Sequence, residues 1–203
     1  SSDESDETAL RTRARAVAVI EDLDDRPHDC DLLVDPGAGR TAERYRGRVP
    51  EHCRVLAGPG FALLRDEFAA ARTDSLARSR LELGIDVDDM ARRMAQADIA
   101  IGAGGGTALE RCVLGLPSIA IILAANQRPA TLYLARTGAL LAIDTIEAVG
   151  TELPALLARM TPERCTDLTE HAASVCDGKG AERVGSALLE LVNGNRPETH
   201  KND

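Results

Sequence analysis

Residues Ala95–Pro117, AQADIAIGAGGGTALERCVLGLP, decide the fold, because they contain a strand, a turn, a helix and a helix end in direct succession. Ile99–Ile101 is a short apolar run, and the four glycines between positions 102 and 106 free the backbone to turn sharply. A helix is predicted to begin at Thr107 and to end at Gly115, ahead of a proline. The start of a helix offers unpaired N–H groups and the positive end of the helix dipole, so the stretch predicts a place for a phosphate.

Segments with strand and helix character alternate along the rest of the chain. Most predicted strands are continuous apolar runs, as expected for a parallel sheet that is covered on both faces, so the sequence predicts an α/β fold with a Rossmann-like parallel sheet. Such a sheet binds ligands at the C-terminal ends of its strands. The predicted strands are Val17–Ile20, Asp31–Val34, Val55–Ala57, Leu81–Ile85, Asp98–Ile101, Ser118–Leu123 and Ala139–Ile143. The predicted helices are Leu64–Arg80, Asp88–Ala97, Thr107–Leu114, Gln127–Thr137, Ile146–Met160, Pro162–Val175 and Ala181–Val192.

Composition limits the classes of partner. The 203 residues suit one domain or a domain and a half, and the 44% of hydrophobic residues can form a core. Aromatic residues make up 2% and the net charge is −9, which argues against a general nucleic-acid surface. No apolar run is long enough to cross a bilayer, no signal peptide is evident, and the five cysteines form no C-x-x-C pair. We expect a cytoplasmic protein with reduced thiols that binds neither nucleic acid nor membrane.

The glycine turn does not match the specific phosphate-binding motifs. The P-loop motif needs a lysine after its last glycine, and the dinucleotide motif G-x-G-x-x-G needs a glycine where Thr107 stands. Two interpretations therefore stay open. The glycines form a phosphate site, or they only allow the helix to pack closely on the strand.

Thr107 and Glu110 also have two interpretations. T-x-x-E is the capping-box pattern, in which each side chain accepts a hydrogen bond from a backbone N–H at the helix start. In the functional alternative, Thr107 contacts a phosphate oxygen and Glu110 accepts hydrogen bonds from two ribose hydroxyls. A capping Glu110 would fold back onto the main chain, whereas a ribose-binding Glu110 would point outward.

Asn126 and Gln127 follow the predicted strand Ser118–Leu123. In one interpretation Asn126 is the N-cap of the next helix, with Pro129 in its first turn. In the other, both amides face the same crevice as the glycine turn, because two neighbouring strands end there. The second interpretation is slightly favoured.

The acidic segment Glu21–Asp35 contains His28 and Cys30, with another His-Cys pair at His52 and Cys53. The spacings H-x-C and H-C are not usual for a structural zinc site, so no metal is expected. An aspartate–arginine network that fixes a turn is favoured here. His28 serves as a general base only if it reaches the cleft. Ser1–Thr8 and Asn193–Asp203 are polar, and we expect both ends to be disordered.

Two blocks of the chain, covering about half of it, resemble a known family. The first, Glu21–Phe68, includes EDLDDRPHDCDLLVDPG and YRGRVPEHCRVLAGPGFALLRDEF; the second is Asp86–Gln127, DVDDMARRMAQADIAIGAGGGTALERCVLGLPSIAIILAANQ. In the order and density of these motifs the chain resembles the UDP-sugar hydrolases of pseudaminic acid biosynthesis. These enzymes act on UDP-2,4-diacetamido-2,4,6-trideoxy-β-L-altropyranose.

The resemblance implies a GT-B architecture that hydrolyses a UDP-sugar with water, without a metal ion or another cofactor. Residues 1–60 would be a remnant of the N-terminal lobe with a crossover, residues 61–192 the UDP-binding C-terminal lobe, and residues 193–203 a disordered tail. Carried over by motif, the UDP-binding residues are Gly104, Gly105, Gly106 and Thr107 for the diphosphate, Glu110 for the ribose, and Asn126 with Gln127 on the diphosphate and sugar side.

The chain departs from the family pattern at the catalytic centre. The catalytic histidine of the family follows a glycine, whereas the four histidines here follow Pro27, Glu51, Glu170 and Thr199. Part of the N-terminal lobe, and a strand and loop expected between Arg80 and Leu81, also have no counterpart. We expect a chain that is catalytically impaired alone and that self-associates or needs a complementing chain. The alternatives are a non-catalytic nucleotide-sugar binding module and half of a GT-B glycosyltransferase.

Overall fold

The structure, a computed structural model, describes residues 4–11, 14–23, 25–75 and 89–193. Contacts divide the chain into two compact units, with boundaries after Leu63 and after Lys179. The first unit contains both end portions of the chain, and the second unit contains the middle. Each unit has its own three-stranded parallel sheet. Within the described ranges, no helix combines the length and the apolar character needed to cross a lipid bilayer.

The sheet of the first unit joins β1 (Ala18–Ile20), β2 (Leu32–Asp35) and β3 (Arg54–Ala57), with β2 in the centre. All four residues of β2 are buried, as expected for the central strand of a parallel sheet. In the register of the sheet, Leu33 lies between Val19 and Val55. One face of this sheet carries a buried cluster formed by Val17, Val19, Cys30, Leu33 and Tyr45.

The last helix, α8 (Gly180–Val192), completes the other face of the same sheet. Its apolar residues recur at helical spacing, so one stripe of the helix is buried on the strands. The division predicted from the sequence groups this helix with residues 61–192, whereas the contacts assign it to the first unit. The buried cluster at this face comprises Leu32, Val34, Leu56, Val184 and Ala187.

A helix that the sequence does not predict, α1 (Glu4–Arg11), lies near the start of the chain. The expectation of disorder for Ser1–Thr8 is wrong for residues 4–8, which are described as helix. Glu7 is fully buried, and its Oε1 lies 2.9 Å from Nδ1 of His28. Arg11 forms ion pairs with two aspartates that precede β2, at 2.6 and 3.2 Å. These long-range contacts stabilise a helix that composition alone would leave disordered.

The second unit surrounds its sheet with helices. The strands β4 (Ala100–Ala103), β5 (Ser118–Ile121) and β6 (Leu141–Ile143) pair in that order, all parallel. The helices are α2 (Asp66–Ser75), α3 (Met90–Gln96), α4 (Thr107–Val113), α5 (Arg128–Arg136), α6 (Val149–Ala158) and α7 (Pro162–Val175).

The predicted α/β class with parallel sheets is confirmed. Every predicted strand and helix that lies within the described residues is found, with boundaries that differ by a few residues. The predicted strand Leu81–Ile85, the end of the predicted helix Leu64–Arg80 and the tail after Asn193 lie outside the described residues.

Arg72 of α2 joins three helices of the second unit. Its guanidinium donates to the carbonyl oxygens of Val113 at 2.5 Å, Ala173 at 2.6 Å and Cys176 at 2.9 Å. These carbonyls lie at the C-terminal ends of α4 and α7, where helices leave carbonyl groups unpaired and where a positive charge is favourable. The side chain of Arg72 therefore supplies hydrogen bonds to carbonyl groups at the C-terminal ends of two helices.

We expect the substitution Arg72→Met to lower the free energy of unfolding by about 2–4 kcal/mol, because it removes charged hydrogen bonds and leaves partly buried carbonyls unpaired. Urea unfolding followed by circular dichroism measures this loss, since the chain has no tryptophan. Arg136→Met, at an exposed position of α5, is the matched control and should change stability by less than about 0.5 kcal/mol. Equal effects of the two substitutions would contradict the role assigned to Arg72.

Candidate functional site

The candidate site lies where the strands of the second unit's sheet end, at their C-terminal edge. Ala103 at the end of β4 pairs with Ile121 at the end of β5, so the segments that follow both strands leave the same edge. Gly104 continues this pairing, because its N–H donates to the Ile121 carbonyl at 2.9 Å. The turn Gly104–Gly106 follows β4, and a short 3-10 turn, Ala125–Gln127, follows β5. The edge is the one at which parallel sheets bind ligands.

Gly104 is a glycine because of packing, not because of an unusual backbone conformation. The chain bends at positions 104–106 as expected, but none of the four glycines between positions 102 and 106, all of them described, has a positive φ, so the turn does not use the left-handed conformation that favours glycine. A Cβ at Gly104 would overlap the hydroxyl of Thr131. The hydroxyl oxygen lies within hydrogen-bond distance of the carbonyl oxygens of Gly104, at 2.9 Å, and Gln127, at 2.8 Å, and its one proton is shared between these two acceptors. At this position the close-packing interpretation of the glycines applies.

Gly106 differs from its neighbours in the turn. It has φ −52° and ψ −35°, values that any residue adopts, and a Cβ there would meet no atom within 4 Å. Neither the backbone nor a described neighbour requires glycine at this position. A Cβ at Gly105 would lie 3.3 Å from Nε2 of Gln127. Open space therefore lies in front of the last glycine of the turn.

The capping box predicted as one interpretation of Thr107 and Glu110 does not form. The N-cap of α4 is Gly106, and no side chain caps the helix. Thr107 is the first residue of the helix, and its exposed side chain accepts a hydrogen bond of 3.3 Å from Nη1 of Arg111. The explanation of these two residues as a mutual cap is therefore wrong.

Glu110 carries a carboxylate that is mostly shielded from solvent but is not bound to the helix backbone. Its side chain is 16% exposed, and within the described residues its ion-pair partner is Arg65, at 3.8 Å. Burial raises the pKa of Glu110, and the positive charges of Arg65 and Arg111 offset part of this effect. A shielded carboxylate of this kind is a strong acceptor for hydroxyl groups.

Arg111 is a further residue of the site that sequence analysis does not find. It is 3% exposed, and its Nη2 donates to the Ala103 carbonyl at 2.7 Å while Nη1 donates to Thr107. Its Nε has no acceptor among the described residues. Burial lowers the pKa of Arg111. Its position four residues after Thr107 is the signal that would place both side chains on one face of the helix.

The guanidinium of Arg111 bridges the two ends of the glycine turn, since Ala103 precedes the turn and Thr107 follows it. Guanidinium groups stay protonated in proteins, so a positive charge is buried beside the turn. The hydrogen bonds recorded for it among the described residues go to neutral oxygens. An anion at the turn would therefore gain from a charge that is already fixed in place.

The structure brings Gln127 to the glycine turn and leaves Asn126 at the surface. Oε1 of Gln127 accepts the Leu123 N–H at 3.1 Å, and its amide nitrogen lies beside Gly105. Asn126 is exposed, and the N-cap of α5 is Gln127 rather than Asn126, so the capping interpretation of Asn126 is wrong. Two polar side chains thus lie on the 3-10 turn next to the glycine turn.

His28, the catalytic candidate of the sequence analysis, is enclosed in the first unit. Its side chain is 0% exposed, and its two ring nitrogens each lie 2.9 Å from a carboxylate oxygen, of Glu7 and of Glu21. The contact to Glu21 has an ion-pair distance without the alignment of a hydrogen bond. Two backbone N–H groups hold Glu21 in turn, at 2.6 and 2.9 Å. A ring held in this way stabilises the unit and has no solvent-facing nitrogen for a substrate.

Among the described residues, no group of three or more His, Cys, Asp or Glu could hold a metal ion.

Comparisons with known proteins bear on the second unit above all. The family model of the Glycosyltransferase family 28 C-terminal domain matches residues 72–186. The UDP-N-acetylglucosamine--N-acetylmuramyl-(pentapeptide) pyrophosphoryl-undecaprenol N-acetylglucosamine transferase of Chromobacterium violaceum is 31% identical over 120 residues, which are 57% of this chain and 33% of the relative. The UDP-2,4-diacetamido-2,4,6-trideoxy-beta-L-altropyranose hydrolase of Campylobacter jejuni is 35% identical over 63 residues, which are 31% of this chain and 23% of the relative.

Among solved structures, the crystal structure of MurG from Acinetobacter baumannii aligns with a TM-score of 0.44 and 15% identity. The alignment covers 83% of this chain and 45% of that structure. The matches to the two curated relatives span 33% and 23% of their lengths, so this chain corresponds to only part of each.

We expect Glu110→Gln to raise the melting temperature at pH 7, because the variant no longer keeps a charge in a shielded position. Because the pKa is raised, the direction of the pH dependence follows. The destabilising charge is fully present above that pKa and is lost as the pH falls through it. The advantage of the variant should therefore disappear below about pH 4, near the ordinary pKa of glutamate. Thermal melts by circular dichroism across this pH range measure it. The control Glu170→Gln, at an exposed position of α7, should show no advantage; an equal gain there would refute the assignment to burial.

Proposed function

Because the chain belongs to the family of Glycosyltransferase family 28 C-terminal domains, which match more than half of its residues, we propose that it binds the UDP moiety of a UDP-sugar. The binding site in this proposal is the sheet edge formed by the glycine turn, the start of α4 and the turn Ala125–Gln127. The names of the two curated relatives support the ligand, since both contain a UDP-sugar.

The observation that carries the proposal is the state of Glu110. Its carboxylate is shielded yet takes no part in a helix cap, and it has no hydrogen bond to another described residue. Leaving a partly buried carboxylate without donors costs free energy, and two ribose hydroxyls would supply the missing hydrogen bonds. In this proposal Glu110 binds the ribose of UDP.

The diphosphate is proposed to bind at the glycine turn. The open space at Gly106 allows phosphate oxygens to approach the backbone, and Thr107 offers an exposed hydroxyl. Buried Arg111 supplies positive charge beside the turn, which favours an anion at this place.

Gly104 and Gly105 shape the turn, and Asn126 and Gln127 are proposed to line the diphosphate and sugar side.

The proposed reaction class is transfer or hydrolysis of the sugar, with transfer supported at least as well. The family model and the relative from Chromobacterium violaceum are those of glycosyltransferases, whereas the hydrolase matches over 63 residues. Both reactions break the bond between the anomeric carbon and the diphosphate oxygen and release UDP. They differ in the group that attacks, which is an acceptor hydroxyl in one case and water in the other.

We expect Glu110→Ala to weaken UDP binding by about 2–3 kcal/mol, which is roughly 30- to 150-fold in Kd, since charged hydrogen bonds contribute about 1.5–3 kcal/mol each. Isothermal titration calorimetry of the 203-residue chain with UDP measures the change. Glu170→Ala is the matched control and should keep the wild-type Kd. Unchanged affinity in Glu110→Ala would sink the ribose assignment, and no UDP binding by the wild-type chain would sink the site.

We expect the 203-residue chain to turn over a UDP-sugar very slowly on its own. General-base catalysis contributes typically about 10²- to 10⁴-fold, and His28, one of its four histidines, is enclosed between carboxylates. Incubation with UDP-N-acetylglucosamine, with and without an acceptor, followed by chromatography of UDP and sugar products, tests this. Free sugar formed in water alone would favour hydrolysis, acceptor-dependent product would favour transfer, and rapid turnover of either kind would contradict the expectation.

A further inference from the structure

The first unit contains two cysteine sulfurs in contact. Sγ of Cys30 lies 3.6 Å from Sγ of Cys53, although the two residues are 23 positions apart in the sequence. All five cysteines of the chain are described, and all are free thiols. A disulfide bond has a length of about 2.05 Å, so the two sulfurs need to approach by roughly 1.5 Å to form one.

The sheet brings the two thiols together. Arg54 at the start of β3 pairs with Leu32 at the start of β2, and its N–H donates to the Asp31 carbonyl at 2.9 Å. Cys53 and Cys30 directly precede these paired segments. Both side chains pack into the cluster around Leu33, on the face of the sheet opposite α8. Cys53 lies one residue before β3 and Cys30 two residues before β2, so the pairing of the strands brings together the two segments that carry the thiols.

The two thiols differ in access. Cys30 is 0% exposed, whereas Cys53 is half-buried and can be reached from solvent. The hydrogen bond with Cys53, together with burial, raises the pKa of the Cys30 thiol, so Cys30 is the weaker nucleophile at the outset. The hydrogen bond with Cys53 is the largest cause of that raised pKa, and burial and the carboxylates of Glu7 and Asp31 add to it.

We propose that Cys30 and Cys53 form an oxidation site that reacts with small-molecule disulfides such as oxidised glutathione and closes to an intramolecular disulfide. In the first step the Cys53 thiolate attacks one glutathione sulfur, the glutathione disulfide bond breaks, and one glutathione thiolate leaves. In the second step the Cys30 thiolate attacks Sγ of Cys53 and expels the second glutathione. The protein dithiol loses two electrons and two protons, and one oxidised glutathione becomes two reduced molecules.

The disulfide would join the segments just before the starts of β2 and β3 and would close a loop of about two dozen residues. A crosslink of this span restricts the unfolded chain, so the oxidised protein should melt several degrees higher than the reduced protein. The rise should disappear when the disulfide is reduced again. This site lies in the first unit and is independent of the proposed UDP site.

The test oxidises the full chain with glutathione disulfide, blocks remaining thiols with N-ethylmaleimide after denaturation, and maps the products by tryptic digestion and mass spectrometry. Arg40 and Arg44 lie between the two cysteines, so trypsin separates them and a disulfide joins two peptides. Cys53→Ser removes the accessible thiol with little change in volume. Cys165→Ser is the matched control, since Cys165 is also half-buried but lies in the second unit.

The expected result is a Cys30–Cys53 crosslink in the wild type and in Cys165→Ser, with a higher melting temperature that dithiothreitol reverses. Cys53→Ser should give no crosslink and no rise. A mixed glutathione disulfide that persists on Cys53, a crosslink between other cysteines, or a crosslink that leaves the melting temperature unchanged would each overturn the proposal. The wild-type peptide map decides the question even where a cysteine variant folds poorly.

Discussion

The candidate site depends on one buried positive charge. The guanidinium of Arg111 holds the carbonyl at the end of β4 and the hydroxyl of the first residue of α4, so the strand end and the helix start are fixed to each other across the glycine turn. Ordering a segment rich in glycine costs much conformational entropy, and the two hydrogen bonds of Arg111 offset part of that cost. Burying this charge without a bonded carboxylate costs free energy, and the hydrogen bonds to two neutral oxygens offset part of it.

The glycines of the turn differ in their surroundings, so one explanation does not cover all of them. Gly104 gives room to Thr131, whereas Gly106 borders open space and has an ordinary backbone conformation. Close packing, one of the two alternatives that sequence analysis leaves open for the whole turn, therefore explains Gly104, whereas ligand access is the proposed role of the open space at Gly106. Glu110 likewise combines a cost to stability with availability for a ligand, a combination typical of binding sites rather than of structural caps.

Hydrophobic periodicity was enough to predict the parallel α/β architecture and the meeting of the glycine turn with Gln127, because these follow from local pattern and from the common direction of neighbouring strands. Three features depend on contacts that are distant in sequence and were not predicted. Helix α1 is stabilised by the buried pair of Glu7 with His28, α8 packs on β2 of the first unit, and Thr131 explains Gly104. The burial of Arg111 was not predicted either, because a lone arginine in a helix is usually solvated.

The return of α8 to the first unit has a consequence for biosynthesis. The strands of that unit are translated before the second unit, yet the helix that covers one face of their sheet is translated after it. During translation, the apolar side chains of β2 and β3 on that face therefore stay uncovered until the second unit and α8 have been synthesised. Nascent chains at this stage expose the kind of surface that chaperones bind, so the order of synthesis, and not only the final energy, shapes the yield of folded protein.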